Sequence, residues 1–247
     1  MDDFWAWIRD DLQDTVLGIA PGLNVDLGRI FVQGESAGGY LSIQLALSHT
    51  GSPSIQTSEE NQSQIRVISA DYPMLNLRDR YWNEDFPKPM FGAAQKPVSV
   101  IDNHLASIRS APTRPIVTNA NMEGERAELM IAIIQRGRFV ELLGGDQDSA
   151  PGKRRINPED RIIDGFKLPP TILIQGIEDS AVPVEGTDKF VELVKQHNAV
   201  NGLEKNSDLL VYVRESGDHG FDTGLHLNST RWLVEIVVPF VEKYWLS

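Results

Sequence analysis

The run Gly34-Glu35-Ser36-Ala37-Gly38-Gly39-Tyr40 sets a serine at the centre of a G-x-S-x-G pattern. Before it, Arg29 to Gln33 (RIFVQ) has the β-branched and aromatic makeup of a short strand. After it, residues 36–49 read as a helix with apolar Leu41, Leu45 and Ala46. A serine on so sharp a strand-to-helix turn holds its hydroxyl clear of the sheet, where it can attack an electrophilic carbon. Side chains at 34 and 38 are expected to clash with the neighbouring strand and helix, which is why both are glycine. The Ala37 N–H then lies at a helix N-terminus, where a free donor and the helix dipole can hold a developing oxyanion. A plain glycine-rich turn capped by a serine would carry the same letters. The strand before and the helix after separate the two readings.

A hydroxyl nucleophile needs a base, and an imidazole base needs a carboxylate to fix its tautomer. The chain has five histidines. His49 ends a helix, His104 lies in an irregular section, His197 closes a polar helix face, and His226 has no strand behind it. His219 alone follows a predicted strand (209–213), and Gly217 and Gly220 beside it allow its loop to swing over the serine. For the carboxylate, Glu178 and Asp179 compete just past the predicted strand 171–175. The Val182-Pro183 turn beyond them fits a loop that points Asp179 inward and leaves Glu178 in solvent. Asp218 reads as a solvated turn residue. Both loops leave the C-terminal ends of strands, where parallel sheets hold their ligands.

These loops need a scaffold, and the rest of the sequence describes one. Residues 3–17 form a predicted amphipathic helix with Phe4, Trp7, Ile8, Leu12, Val16 and Leu17 near helical spacing. Strands are expected at 29–33, 65–70, 171–175 and 209–213, and helices at 36–49, 125–136, 185–197 and 229–244. Pro239 should kink or locally shift the last helix. Polar loops are expected at 50–64 and around GGDQDSAPGKRR. Alternating strands and helices predict an α/β class with a mostly parallel sheet and flanking helices. Residues 73–169 have no strand period and are rich in Pro, Arg and aromatics. They read as a helical insertion within a single domain spanning 1–247, not as a second domain.

Composition narrows the function. Of 247 residues, 41% are hydrophobic and 23% charged, ordinary for a chain that buries a core. With no cysteine there is no disulfide, thiolate nucleophile, Cys-ligated zinc or iron–sulfur cluster. The net charge of −12 repels phosphate backbones, so nucleic acid is not an expected partner. The best apolar run, Trp232 to Val241, is broken by Glu235 and Pro239, so no membrane span is expected. No basic leader or apolar signal core is visible, which points to a cytoplasmic protein. No metal or organic cofactor is implied.

With these residues in place, the sequence resembles the α/β-hydrolases. More narrowly it resembles the hormone-sensitive-lipase-like carboxylesterases, the α/β-hydrolase fold-3 family. GESAGGY is similar to that group's GDSAGG elbow, GIEDSAVP to its G-x-x-D-x-x-V-P acid turn, and DHGF to its histidine loop. The resemblance runs from about residue 4 to residue 245, with 73–169 in the place of the family's cap. It implies a small-molecule ester substrate, with Ser36 as nucleophile, His219 as base, Asp179 as its carboxylate and the Ala37 N–H as oxyanion donor. Tyr81, Trp82, Phe86 and Phe91 would supply pocket lining or cap core. Two alternatives share the pattern. One is a small-molecule-binding homologue with lost or impaired catalysis. The other is an amidase or peptidase with the same triad.

The resemblance also lacks a part. The family carries a His-Gly-Gly motif upstream of the elbow, and no His-Gly-Gly occurs here. The family also has several strands where this sequence has one helix, so the chain is expected to correspond to the C-terminal two-thirds of such an enzyme. Strand 29–33 should then lie at a bare sheet edge, an invitation to pairing. Loss of one oxyanion donor typically slows turnover by about 10²–10³. The expected outcome is a chain that self-associates and turns over slowly, checked by its mass in solution and its rate on a short ester. A monodisperse monomer with ordinary turnover would contradict both.

Overall fold

A computed structural model describes residues 1–50, 64–88, 90–111, 113, 124–144, 156–200 and 208–246. The polar stretches 51–63 and 145–155 lie outside the described residues. In chain order the elements are α1 (Asp2–Asp10), α2 (Leu12–Ile19), β1 (Ile30–Glu35), α3 (Ala37–His49) and β2 (Ile65–Asp71). Then come α4 (Arg80–Asn83), α5 (Ser99–Ser110), α6 (Glu125–Gln135), α7 (Phe139–Leu142) and α8 (Pro158–Ile163). The chain continues with β3 (Thr171–Gly176), α9 (Val184–Val200), β4 (Leu210–Glu215) and α10 (Val238–Trp245). No helix among the described residues is long and apolar enough to cross a membrane.

The four strands form one sheet in the order β1-β2-β3-β4, and every pair is parallel. Alternate residues of a strand face opposite sides, and the burial follows that rule. Ile30, Val32, Ala70, Leu173, Leu210 and Tyr212 pack toward Ile43, Leu47 and Phe190 of α3 and α9. Phe31, Val67, Ile172, Ile174 and Val213 turn the other way, toward Phe240, Tyr244 and Trp245 of α10. This is a mostly parallel α/β sandwich, as the strand and helix alternation predicts. Among the described residues β1 is an edge strand, paired only with β2.

Three local readings change. The helix expected at 3–17 is two helices that part at Asp11, a residue type that favours caps over helix interiors. Its buried residue is Trp5, stacked on the His49 ring at 4.7 Å, while Phe4 and Trp7 face outward. In α3, Leu41 is exposed, and Ile43 and Leu47 supply the buried contact alongside Leu45 and Ala46. Before α10 the chain makes one π-helical turn, Leu233–Val237. Pro239 lacks an N–H and crowds the preceding turn, and the wider turn relieves that locally.

The described residues between β2 and β3 have their own apolar cluster: Met74, Leu77, Trp82, Met90, Ile134 and Val140, joined by Ala181 and Val182. Two buried polar side chains hold its turns. The Lys88 ammonium donates to the Glu84, Ile134 and Gln135 carbonyls at 2.6, 2.8 and 3.2 Å and lies over the Phe86 ring. Burial pushes its pKa down to about 8. The fully buried Gln135 side chain donates to the Lys88 carbonyl at 2.8 Å and accepts the Lys96 N–H at 2.8 Å. Gln135→Leu keeps the volume but orphans the Lys96 N–H and leaves the Lys88 carbonyl with the Met90 N–H as its remaining backbone donor. One unmet group costs about 1–3 kcal/mol, the loss of stability expected in urea unfolding.

Candidate active site

Parallel pairing brings the C-terminal ends of the strands to one level. Glu35 is paired with Asp71, Asp71 with Ile174, and Gly176 with Glu215. The chain therefore leaves β1, β3 and β4 along one rim, and each exit carries one candidate side chain.

At the first exit Ser36 has φ 54° and ψ −117°. That is a costly backbone for a residue with a Cβ, and it persists only where the surroundings over-determine it. Here they do. The Ser36 N–H donates to the Asp71 carbonyl at 2.8 Å, and its own carbonyl accepts the Tyr40 N–H at 3.1 Å. A Cβ on Gly34 would sit 2.2 Å from the Gly38 carbonyl oxygen, so glycine is required there. The expectation for Gly38 does not hold, because a Cβ on it would meet nothing within 4 Å. The close approach falls one residue later, where a Cβ on Gly39 would lie 3.0 Å from the Pro73 side chain and 3.1 Å from the Gly34 carbonyl oxygen. Ala37 opens α3, so its N–H has no helical carbonyl behind it.

The three exits converge. The Nε2 atom of His219 lies 3.0 Å from Ser36 Oγ, and its Nδ1 lies 2.8 Å from Asp179 Oδ2. The Asp179 side chain is fully buried and that of His219 is only 10% exposed. Asp179 is held from three directions. Its Oδ1 accepts the Ala181 and Val182 N–H groups at 2.9 and 2.8 Å, and its Oδ2 accepts Gln175 Nε2 at 3.0 Å. Gln175 is anchored in turn by the Thr187 hydroxyl at 2.8 Å. Of the two carboxylates weighed from the sequence, Asp179 faces the imidazole. Glu178 turns away and accepts the Gly217 N–H at 2.6 Å, pinning the start of the histidine loop.

Sequence reasoning missed Asp218. It is exposed, yet it accepts the Ser180 N–H at 2.7 Å, the Ser180 hydroxyl at 3.1 Å and the His219 N–H at 2.7 Å. Its burial works to raise its pKa, but these donors outweigh that and hold it below the usual value. It ties the acid loop to the histidine loop. Tyr72 was also missed. Its ring meets the His219 imidazole edge-on at 4.6 Å, and its hydroxyl donates to Asp222 Oδ1 at 3.0 Å. Neither role has a local signal, because Ser180 lies 38 residues from Asp218 and Asp222 lies 150 residues from Tyr72.

Behind the elbow, carboxylate oxygens of Glu35, Asp71 and Asp222 lie within 4.8 Å of one another, the one group of metal-ligand type among the described residues. Hydrogen bonds already engage it. Asp71 accepts the Ser69 hydroxyl at 2.8 Å and Gln33 Nε2 at 3.3 Å, and Asp222 accepts Tyr72. Burial pushes Asp71 up to about 6, against the lowering effect of Ser69 and Gln33 and with help from Asp222 and Glu35.

No family model matches the chain. It is similar to the probable carboxylesterase M8 of Phoma sp. (strain ATCC 20986 / MF5453), 24% identical over 245 residues, which cover 99% of this chain and 68% of that protein. It is also similar to the probable carboxylesterase clz11 of Cochliobolus lunatus, 25% identical over 182 residues, covering 74% of this chain and 76% of that one. Among solved structures, a protein of unknown function from Staphylococcus aureus subsp. aureus Mu50 superposes with a TM-score of 0.55 at 16% identity. That match covers 94% of this chain and 68% of the other. The chain shares that structure's fold, a mostly parallel sheet flanked by helices.

The buried Asp71 carboxyl gives a pH signature. Its folded pKa, about 6, lies above the unfolded value of about 3.9, so the folded chain binds more protons between them. Its contribution to stability is therefore present below pH ~4 and lost as pH rises through ~6, by about 3 kcal/mol. Asp71→Asn is expected to remove that slope and to be more stable than the parent at pH 7, as measured by urea unfolding across the pH range.

Proposed function

We propose that this chain is a serine hydrolase of carboxylic esters, working through Ser36, His219 and Asp179. One observation carries the reading. His219 stands between the Ser36 hydroxyl and a buried carboxylate, with each ring nitrogen in hydrogen-bond reach of its neighbour. Kinship to the two carboxylesterases supports ester hydrolysis. GESAGG, GIEDSAVP and DHGF support placing the chain in the hormone-sensitive-lipase-like group. Residues 73–169 would then be the cap of a single domain.

The chemistry follows from the geometry. Ser36 Oγ attacks the acyl carbon while His219 Nε2 takes its proton. Asp179 keeps the remaining ring proton on Nδ1 and stabilises the imidazolium. The carbonyl oxygen becomes an oxyanion facing the Ala37 N–H at the head of α3. When the tetrahedral species collapses, His219 returns its proton to the departing alkoxide, leaving an acyl-Ser36. Water then gives a proton to His219 and its oxygen to the acyl carbon. Release of the acid restores the Ser36 hydroxyl.

A fluorophosphonate is expected to label the protein at Ser36, and the Ser36→Ala variant should not be labelled. Asp179→Asn should keep the fold and lower kcat by about 10³–10⁴, because the imidazole loses its fixed tautomer. Glu178→Gln should cost far less. A p-nitrophenyl ester should be cleaved much faster than the matching anilide. Labelling at another serine, or a faster anilide, would overturn the assignment.

A further inference from the structure

Two aromatic rings meet the His219 imidazole edge-on, Tyr72 at 4.6 Å and Phe91 at 5.5 Å. They differ in what remains free. Tyr72 is 3% exposed and its hydroxyl is bonded to Asp222. Phe91 is 44% exposed, so one of its surfaces faces open space beside the imidazole. Of the four aromatics expected to line a pocket or fill a cap core, Trp82 is fully buried in the core and Tyr81 is half-buried against it. Phe91 is the one presented to the candidate triad.

Its backbone shows that this placement is held at a cost. Phe91 has φ 51° and ψ 29°, the left-handed region that a bulky residue rarely enters. Gly92 follows it with φ 67°. Such strain persists only where neighbours over-determine it, and it concentrates at functional sites. Here Met90 is buried in the cap core, and its N–H donates to the Lys88 carbonyl at 2.8 Å. The Lys88 ammonium is locked on three carbonyls, and Gln135 grips the same Lys88 carbonyl. The Phe91 N–H donates to Ser180 Oγ at 3.3 Å, and Ser180 is bonded to Asp218 beside His219. The turn is fixed both to the cap and to the loops of the proposed triad, so the backbone that carries Phe91 is held in place.

We infer that Phe91 is a specificity-determining residue that binds the alcohol portion of the ester and favours flat, aromatic alcohols. The inference rests on the hydrolase reading above. His219 Nε2 must deliver its proton to the leaving oxygen, so the leaving group departs beside the imidazole, where the free Phe91 face lies. A ligand ring packed on Phe91, stacked or edge-on, gains more than a short alkyl group there. The acyl chain, bound to Ser36 on the other side of the scissile bond, does not need Phe91.

The test compares acylation rates, read as first-turnover alcohol release, for phenyl acetate, ethyl acetate and phenyl hexanoate. Phe91→Ala is expected to lower the phenyl-to-ethyl ratio of kcat/KM by about three- to tenfold, leaving the acetate-to-hexanoate ratio within twofold. Phe91→Trp should keep the aryl preference. Phe91→Gly should lose it with a Tm no lower than the parent, because glycine occupies the left-handed region without strain. An unchanged phenyl-to-ethyl ratio, with Ser36 still labelled by a fluorophosphonate, would overturn the role of Phe91 and leave the hydrolase reading standing. A change that follows acyl length instead would also overturn it. No first turnover and no labelling of Ser36 would overturn both.

Discussion

A serine whose backbone sits at φ 54° is the constraint on which the rest of the site depends. A residue with a side chain leaves that region unless its neighbours forbid it, at a cost of about 1–3 kcal/mol. Two kinds of contact supply the restraint. The Asp71 carbonyl holds the Ser36 amide, so the kink is braced by the adjacent strand. Gly34 lets β1 and α3 approach closer than any Cβ would allow, and Gly39 leaves room at the exit of β2 that a Cβ would crowd. Remove the brace or widen the approach, and Ser36 relaxes toward ordinary helical geometry. Its hydroxyl would then leave the imidazole, whatever becomes of the other two residues.

The remaining polar groups fall into a pattern once that is seen. Several acids crowd the rim near Ser36, and four of them show how their jobs divide. Asp179 is buried and holds the imidazole. Glu178 and Asp218 are exposed and lie next to the candidate residues in sequence, yet each spends its oxygens on backbone N–H groups of a loop. Asp71 lies behind Ser36, where burial raises its pKa. Ser180 links the outermost of these groups to the Met90–Gly92 turn through the Phe91 amide. The acid loop, the histidine loop and that turn are thus one hydrogen-bonded unit.

Much of this was legible because the pattern is local. A G-x-S-x-G between strand and helix locates Ser36, and the two post-strand loops locate Asp179 and His219. The alternation of strand and helix gives the parallel sheet, and the sequence places β1 at its edge. What could not be read depends on partners far along the chain. Asp218 looks like any turn aspartate until Ser180 is brought beside it. Lys88 and Gln135 look like surface residues, because nothing nearby in sequence tells of carbonyls and amides about 40 residues away. Gly38 and Gly39 are indistinguishable as letters, and only the path of Pro73 decides which one must be small. The split at Asp11 was hidden by apolar residues that keep helical spacing across it.

The order of the strands has a consequence for how the chain reaches this state. β1 and β2 come early, with β3 and β4 about 100 residues further on, and the sheet closes only when β2 finds β3. Closing a gap of that length costs entropy before any ladder bond repays it, and non-local parallel pairing is slow for that reason. The seam between the two halves also divides the proposed triad. Ser36 belongs to the first half, and Asp179 and His219 belong to the second. During refolding the proposed triad therefore assembles only when the two halves dock, not with the appearance of helix. A nascent chain released before residue 219 would hold the elbow without the imidazole proposed to activate it.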